Sequence, residues 1–292
     1  SERQQMILSL PLLYRRASDK QLAAKVVNDA LAAYSTDPAL APTALVTKGR
    51  MLLLAGDSTG ALAAATQVAT LAPASDEFEL FAVELLEAKV PGADEVVQKA
   101  FAGPRSPQLR MNYARALLEL QRYSLAQVQI ETVTREHPEL ARPWLALAAL
   151  QVQSGQTDAA EASLAQFTKT IDATIERSEQ ASARSQAYLL QSEIAEKRGN
   201  FDEADAWLAR IENADTRFDV QVRRATLLAR RGNLTHARAL LQSLPESSPE
   251  EKRRKLAAEV QLLRDNGQYA DAYTLQGDLV KQTPEDADLL YD

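Results

Sequence analysis

The chain has 292 residues, 46% hydrophobic and 25% charged, a balance normal for a soluble folded protein; it is long for one compact core but unremarkable for a repeat array. A net charge of −7 excludes a general nucleic-acid binder, because neutralising phosphates needs a net basic face. The absence of cysteine removes disulfides, thiolate metal sites and thiol nucleophiles. No run approaches the roughly 18 apolar residues of a membrane span; the longest candidate, Ala141 to Val152, is cut by Arg142, Pro143 and Gln151.

In chain order, apolar spacing predicts two helices at about 3–16 and 19–35, closing at Pro38. A helix pair from Pro42 follows, with Leu45, Gly49, Gly56, Ala61 and Pro73 as its punctuation. A poorly matched pair at about 76–89 and 92–102 is interrupted by Val90-Pro-Gly-Ala-Asp94, expected to change the curvature or to divide the chain into two stacks. Further pairs start near Pro107, Ala141, Ser185, Phe218 and Arg253. The expected organisation is an N-terminal stack over 1–106, with its degenerate unit near 74–106, and regular units over 107–292.

The evidence for repetition is local and recurrent. Gly56, Gly155, Gly199, Gly232 and Gly267 are each followed five residues later by an alanine: Ala61, Ala160, Ala204, Ala237 and Ala272. The last three glycines lie 33 and 35 residues apart, a period in the range of stacked helical repeats. A 34-residue frame from Ala141 places Trp144 at position 4, Leu147 at 7, Ala148 at 8, Gly155 at 15, Ala160 at 20 and Leu164 at 24. The frame from Pro107 puts Ala114, Ala126, Ile130 and Pro138 in register. Small residues at 8 and 20 let the two helices cross closely, glycine at 15 supplies a left-handed turn, and proline at 32 stops the second helix. With these residues the chain resembles the tetratricopeptide-repeat family. The resemblance implies an all-α fold: a right-handed superhelical solenoid of antiparallel helix pairs, about seven or eight of them.

One step breaks the period. The Ser185 unit begins 44 residues after the Ala141 unit, and the unbroken, charge-alternating stretch from Thr157 predicts one over-long second helix near 157–180, followed by a polar link at Ala181–Arg184. At its C-terminus the chain stops in what reads as a truncated helix, Asp286–Asp292; with no charged-then-apolar leader at Ser1, both ends read as cut, leaving room for a signal peptide or lipid anchor upstream.

Nothing in the sequence reads as reaction chemistry. His137 precedes a terminating proline, His236 follows a turn, and neither has a partner at metal-ligand spacing. Phosphate-binding glycine loops and nucleophile elbows are missing, and no feature marks a pocket that would tune carboxylate pairs such as Glu193 and Glu196. The expectation is a protein without catalytic activity, cofactor or metal. The basic doublets Arg15-Arg16, Arg223-Arg224 and Arg230-Arg231 do not form one stripe, since helical neighbours point about 100° apart, and Lys252-Arg-Arg-Lys255 is offset by nearby glutamates.

Function is therefore expected on a surface. In the family resembled here the first helix of each pair lines a concave groove, which implies groove positions at Arg50 and Leu54; Met111, Arg115 and Glu119; Arg142 and Leu145; Gln186, Leu189 and Glu193; Val222 and Arg230; and Arg264. Arginines among apolar side chains would grip an extended peptide or a helix of a partner protein. The regular Lys/Asn/Arg set that clamps a peptide carboxylate in some relatives is not reproduced. Alanine- and leucine-rich units such as Ala195–Ile211 also resemble large tetratricopeptide lipoproteins of Gram-negative envelopes, including adaptors of a periplasmic processing protease. That resemblance implies a periplasmic, outer-membrane-anchored adaptor; a cytoplasmic location, self-association in an envelope secretion or pilus assembly, and an accessory domain of a larger protein are the alternatives.

Overall fold

The computed structural model describes residues 2–211, 217–244 and 248–282. They are all-α, with no strand among them, and their sixteen helices fall into eight consecutive pairs. The pairs are α1 (Glu2–Arg16) with α2 (Lys20–Tyr34), α3 (Ala41–Leu54) with α4 (Ser58–Leu71), α5 (Asp76–Glu87) with α6 (Ala93–Ala100), and α7 (Pro107–Glu119) with α8 (Tyr123–Glu136). They continue with α9 (Ala141–Gln153) and α10 (Thr157–Thr174), α11 (Arg177–Lys197) and α12 (Phe201–Leu208), α13 (Arg217–Arg230) and α14 (Leu234–Gln242), and α15 (Pro249–Asp265) and α16 (Tyr269–Gln282). Two compact units result, Ser1–Pro138 and Glu139–Asp292, so the division falls one helix pair later than the expected 106/107. Val90–Asp94 does not divide a stack; it is the tight turn inside the α5–α6 pair.

The turns explain the period. In seven pairs the first helix ends in the same two hydrogen bonds, as in Gly155 N–H to the Val152 carbonyl (3.1 Å) and Gln156 N–H to the Gln151 carbonyl (2.8 Å). This is the Schellman arrangement, which needs a left-handed residue at the pivot. The five periodic glycines hold φ between 74° and 83°. The two pairs without a pivot glycine use Lys89 (φ 56°) and Gln121 (φ 59°) instead. The turn is conserved through the array where its sequence mark is lost.

Packing follows the small residues. Ala148 and Ala160, Ala225 and Ala237, and Ser192 and Ala204 are buried where paired helices cross. Gly49 is the tightest case: a Cβ there would stand 2.3 Å from Phe81 Cζ on α5 and 3.3 Å from Ala64 Cβ on α4. In the first unit Ile7, Val27, Leu31 and Met51 form one core cluster. In the second, Leu164, Phe167, Ile171 and Ile175 pack with Ala148 and Ala160; each fully buried side chain of this size contributes about 1.5–3 kcal/mol. Caps finish the helices, with Asp19, Asp57, Ser75, Ser106, Asn200 and Ser248 each accepting a first-turn N–H.

The insertion is built differently from its prediction. α10 stops at Thr174, Ile175 is extended, and α11 begins at Arg177, so 181–184 is helix rather than a link. The apolar row Leu164–Phe167–Ile171–Ile175 carries the reason: it ends at Ile175, and continuing the same helix would have no core to face. The Gln180 side-chain amide then caps the Ile175 carbonyl at 3.0 Å. The ten extra residues thus lengthen both helices, and α11 reaches 21 residues. The predicted terminal helix at Asp286–Asp292 lies outside the described residues.

Candidate protein-binding cleft

The inner-face residues of the second unit do not all share one fate. Arg142 and Leu145 on α9 meet Gln186 and Leu189 on α11 around one open cleft of about 650 Å³. Leu145 and Leu189 are half-buried against the cores beneath, so the floor is held by packing rather than by loops. Ala146 and Ala149 complete the α9 wall; Ser178, Glu179, Ser182, Ala183 and Leu190 complete the α11 wall, and Ile175 closes one end. Half of that wall comes from the first two turns of α11, the segment the sequence reading misassigned. The 44-residue step was the available signal, but the break at Ile175 carries neither glycine nor proline to mark it.

In the first unit, Arg50 and Leu54 of α3 border a smaller hollow of about 340 Å³ with Leu8, Pro11, Leu12 and Arg15 of α1 and Glu84 of α5. Met111 is half-buried on α7, apart from that hollow, and Arg115 and Glu119 make a solvent-facing pair at 3.7 Å on the same helix. Val222 is not free groove surface: it packs against the Ala225–Leu241 core cluster. Glu193 pairs with Lys197 at 3.6 Å, and Arg264 donates to Gln276 at 2.6 Å within its own helix pair.

The groove arginines have protein partners. Arg50 donates twice to Glu84, both at 2.8 Å, from one first helix to the next. Arg142 bonds Glu179; Arg230 (3.3 Å) and Arg223 (2.7 Å) converge on Glu196; and Arg254 reaches Asp219 at 2.6 Å while covering the Phe218 ring. Arg50, Arg142 and Arg230, three of the arginines expected in the groove, tie successive first helices together. The basic doublets dissolve likewise: Arg224 pairs with Asp205, Arg231 with Asp202, and buried Lys255 donates to the Gln242 and Leu244 carbonyls at the end of α14.

One buried ion pair stands apart from the cleft. Glu79 on α5 is almost wholly buried against Arg105, whose guanidinium also donates to the carbonyls of Ala100 (2.6 Å) and Pro73 (3.2 Å). Burial raises the Glu79 pKa above the usual carboxylate value, with Asp76 adding to the rise and Arg105 and Arg110 opposing it. Its second carboxylate oxygen has no hydrogen-bond partner. His236 bonds Asn233 at 2.6 Å and His137 caps α8. Among the described residues no group of three His, Asp or Glu side chains could hold a metal, and no helix is long and apolar enough to cross a membrane.

Residues 12–76 match the family model described as tetratricopeptide repeat, a stretch that contains α2, α3 and α4. The structure is similar to a tetratricopeptide repeat protein from Parabacteroides merdae ATCC 43184, with a TM-score of 0.51 at 16% identity over 85% of this chain and 95% of that one. It is also similar to a chain in the structure of Naa15/Naa10 bound to HypK-THB, with a TM-score of 0.54 at 17% identity; 98% of this chain is covered but 43% of that one. At such identities the likeness establishes the fold, an all-α solenoid of tetratricopeptide type. No curated protein matches the sequence.

Proposed function

We propose that the chain is a non-catalytic scaffold that holds a partner protein against the inner faces of its first helices, with the α9–α11 cleft as the principal contact. The observation that carries this reading is convergence: Arg142, Leu145, Gln186 and Leu189, assigned to the inner face from the repeat frame, surround the same cleft. An open, mostly apolar hollow on a rigid helical floor suits polypeptide side chains, and a tetratricopeptide-type fold has no other feature that calls for small-molecule chemistry. The test is photo-crosslinking with p-benzoylphenylalanine placed at exposed Ser182 in the cleft and at exposed Thr168 on α10. Protein adducts at Ser182 and none at Thr168 are expected; equal labelling at both would contradict the assignment.

Within that reading we infer a bacterial envelope adaptor, anchored outside the described fold and recruiting or activating a periplasmic protease. The support is the resemblance of the alanine- and leucine-rich units to envelope lipoproteins. The full-length gene product tests it: a lipoprotein signal ending in cysteine is expected, and an appended catalytic domain would replace this reading with that of an accessory domain.

A further inference from the structure

The ten-residue insertion gives the cleft a shape and a charge balance that select among partners. α11 has 21 residues where α3, α9 and α13 have 13 or 14. The difference of about seven residues extends the wall by about 10 Å at 1.5 Å per residue. Along this added length the side chains are small, Ser178 and Ser182 at i and i+4 on α11, and the α9 side of the same lining carries Ala146 and Ala149 at i and i+3. Low walls over an aliphatic floor admit a bulky element whose own side chains supply the interdigitation.

Charge narrows the choice. Arg142 and Glu179 are the two charged residues of the lining, and they bond each other, although each side chain is more than half exposed. The cleft is thus neutral in sum. An acidic or a basic segment would have to displace one member of this pair, whereas an uncharged apolar one leaves it in place. Backbone chemistry narrows it again. Apart from Ile175 and the first turn of α11, the lining comes from helix interiors whose amides are bonded internally, and its neutral polar side chains are Ser178, Ser182 and Gln186. An extended strand would enter with its own N–H and C=O groups largely unpaired, while a helix arrives with them satisfied.

From this the geometry points to one occupant: an amphipathic helix of a partner protein, docking through an uncharged stripe of leucine and alanine side chains, selected by the wall that the insertion builds. This rests on the scaffold reading above and adds the class of partner. Among the described residues no other first helix reaches 21 residues, the next being α15 with 17, so the site belongs to this insertion and not to the repeat as such.

The test uses the full chain and a fluorescein-labelled synthetic amphipathic helix of about 20 residues, with leucine and alanine on one face, glutamine and serine elsewhere, and no charge. Saturable binding by anisotropy is expected. Ser182→Trp and Ala149→Trp fill the cleft from opposite walls at exposed positions and should each weaken it about tenfold or more, with unchanged helicity by circular dichroism. Leu54→Trp, in the other unit, should leave it unchanged. Removing the charge pair as Arg142→Ala with Glu179→Ala should change affinity by less than about threefold. Tighter binding of a glutamate-bearing version of the peptide, lost in Arg142→Ala, would overturn the inference in favour of charge reading. Binding indifferent to both tryptophans would overturn it by placing the helix elsewhere. If the neutral helix fails to bind while Ser182 still yields protein adducts, this inference falls and the scaffold reading stands; if those adducts are also missing, both fall.

Discussion

Gln121 does the work of a glycine with a side chain attached. Its φ of 59° is the left-handed conformation that the Schellman turn requires, and a side chain there costs about 1 kcal/mol against glycine. Gln121→Gly is therefore expected to raise the urea midpoint, by about 1 kcal/mol in stability. Gly155→Ala should lower it by a similar amount, and purely for conformational reasons, since a Cβ at Gly155 would meet nothing within 4 Å. Gly49→Ala fails for a different reason. The new methyl would stand 2.3 Å from Phe81, whose ring is fully buried and cannot swing aside, so a loss of about 1–3 kcal/mol is expected. Thermal melts of the two alanine variants separate a backbone cost from a packing cost, because a compensating Phe81→Leu should rescue only the second. A rescue of Gly155→Ala would contradict this division.

Glu79 adds a pH dependence at the same scale. Its pKa in the folded chain is raised, so the folded state holds the proton more tightly than the unfolded state does. The stability it contributes is full below the unfolded value near 4.5 and is lost as pH rises through the higher folded value. Glu79→Gln cannot ionise. Relative to the parent chain, its urea midpoint should improve between pH 4 and pH 7, and a relative decline would refute the sign. Arg105→Ala should be costly, about 3–5 kcal/mol, since it strands a buried carboxylate.

At the scale of elements, the arginines running from one first helix to the next act as braces. Arg50 to Glu84 spans 34 residues, one repeat period, and so does Arg230 to Glu196. These pairs are partly exposed, so each is worth little alone; a double-mutant cycle on Arg50 and Glu84 should give a coupling of about 1 kcal/mol or less, falling with salt. Their structural effect is to neutralise paired charges between first helices, a pairing that the sequence does not reveal. The repeat frame located the arginines correctly on first helices but could not see the carboxylates opposite, because those partners are set by the stacking of neighbouring pairs. The helices themselves were legible, since glycine pivots, small crossing residues and terminal prolines leave marks in sequence. Lys89 and Gln121 leave none, as a left-handed turn tolerates them at modest cost. Nor does the break at Ile175, where the end of an apolar row, rather than a breaker residue, stops the helix.

For the molecule as a whole, the two compact units divide the inner-face residues between them. The cleft of the second unit carries four of the thirteen residues expected from the repeat frame, Arg142, Leu145, Gln186 and Leu189, and the hollow of the first carries Arg50 and Leu54. Of the rest, Val222 is spent on core packing, Arg115, Glu119 and Glu193 pair along their own helices, and Arg230 and Arg264 bond to neighbouring helices. The frame places residues on first helices, while the insertion that shapes the larger cleft lies outside its period. Binding at that cleft is the central claim. Hydrogen–deuterium exchange of the full chain, alone and with the partner cross-linked through Ser182, tests it most directly. Added protection is predicted along α11 from Arg177 to Leu190 and along α9, with α10 unchanged; protection concentrated on α10, or confined to the first unit, would contradict the account.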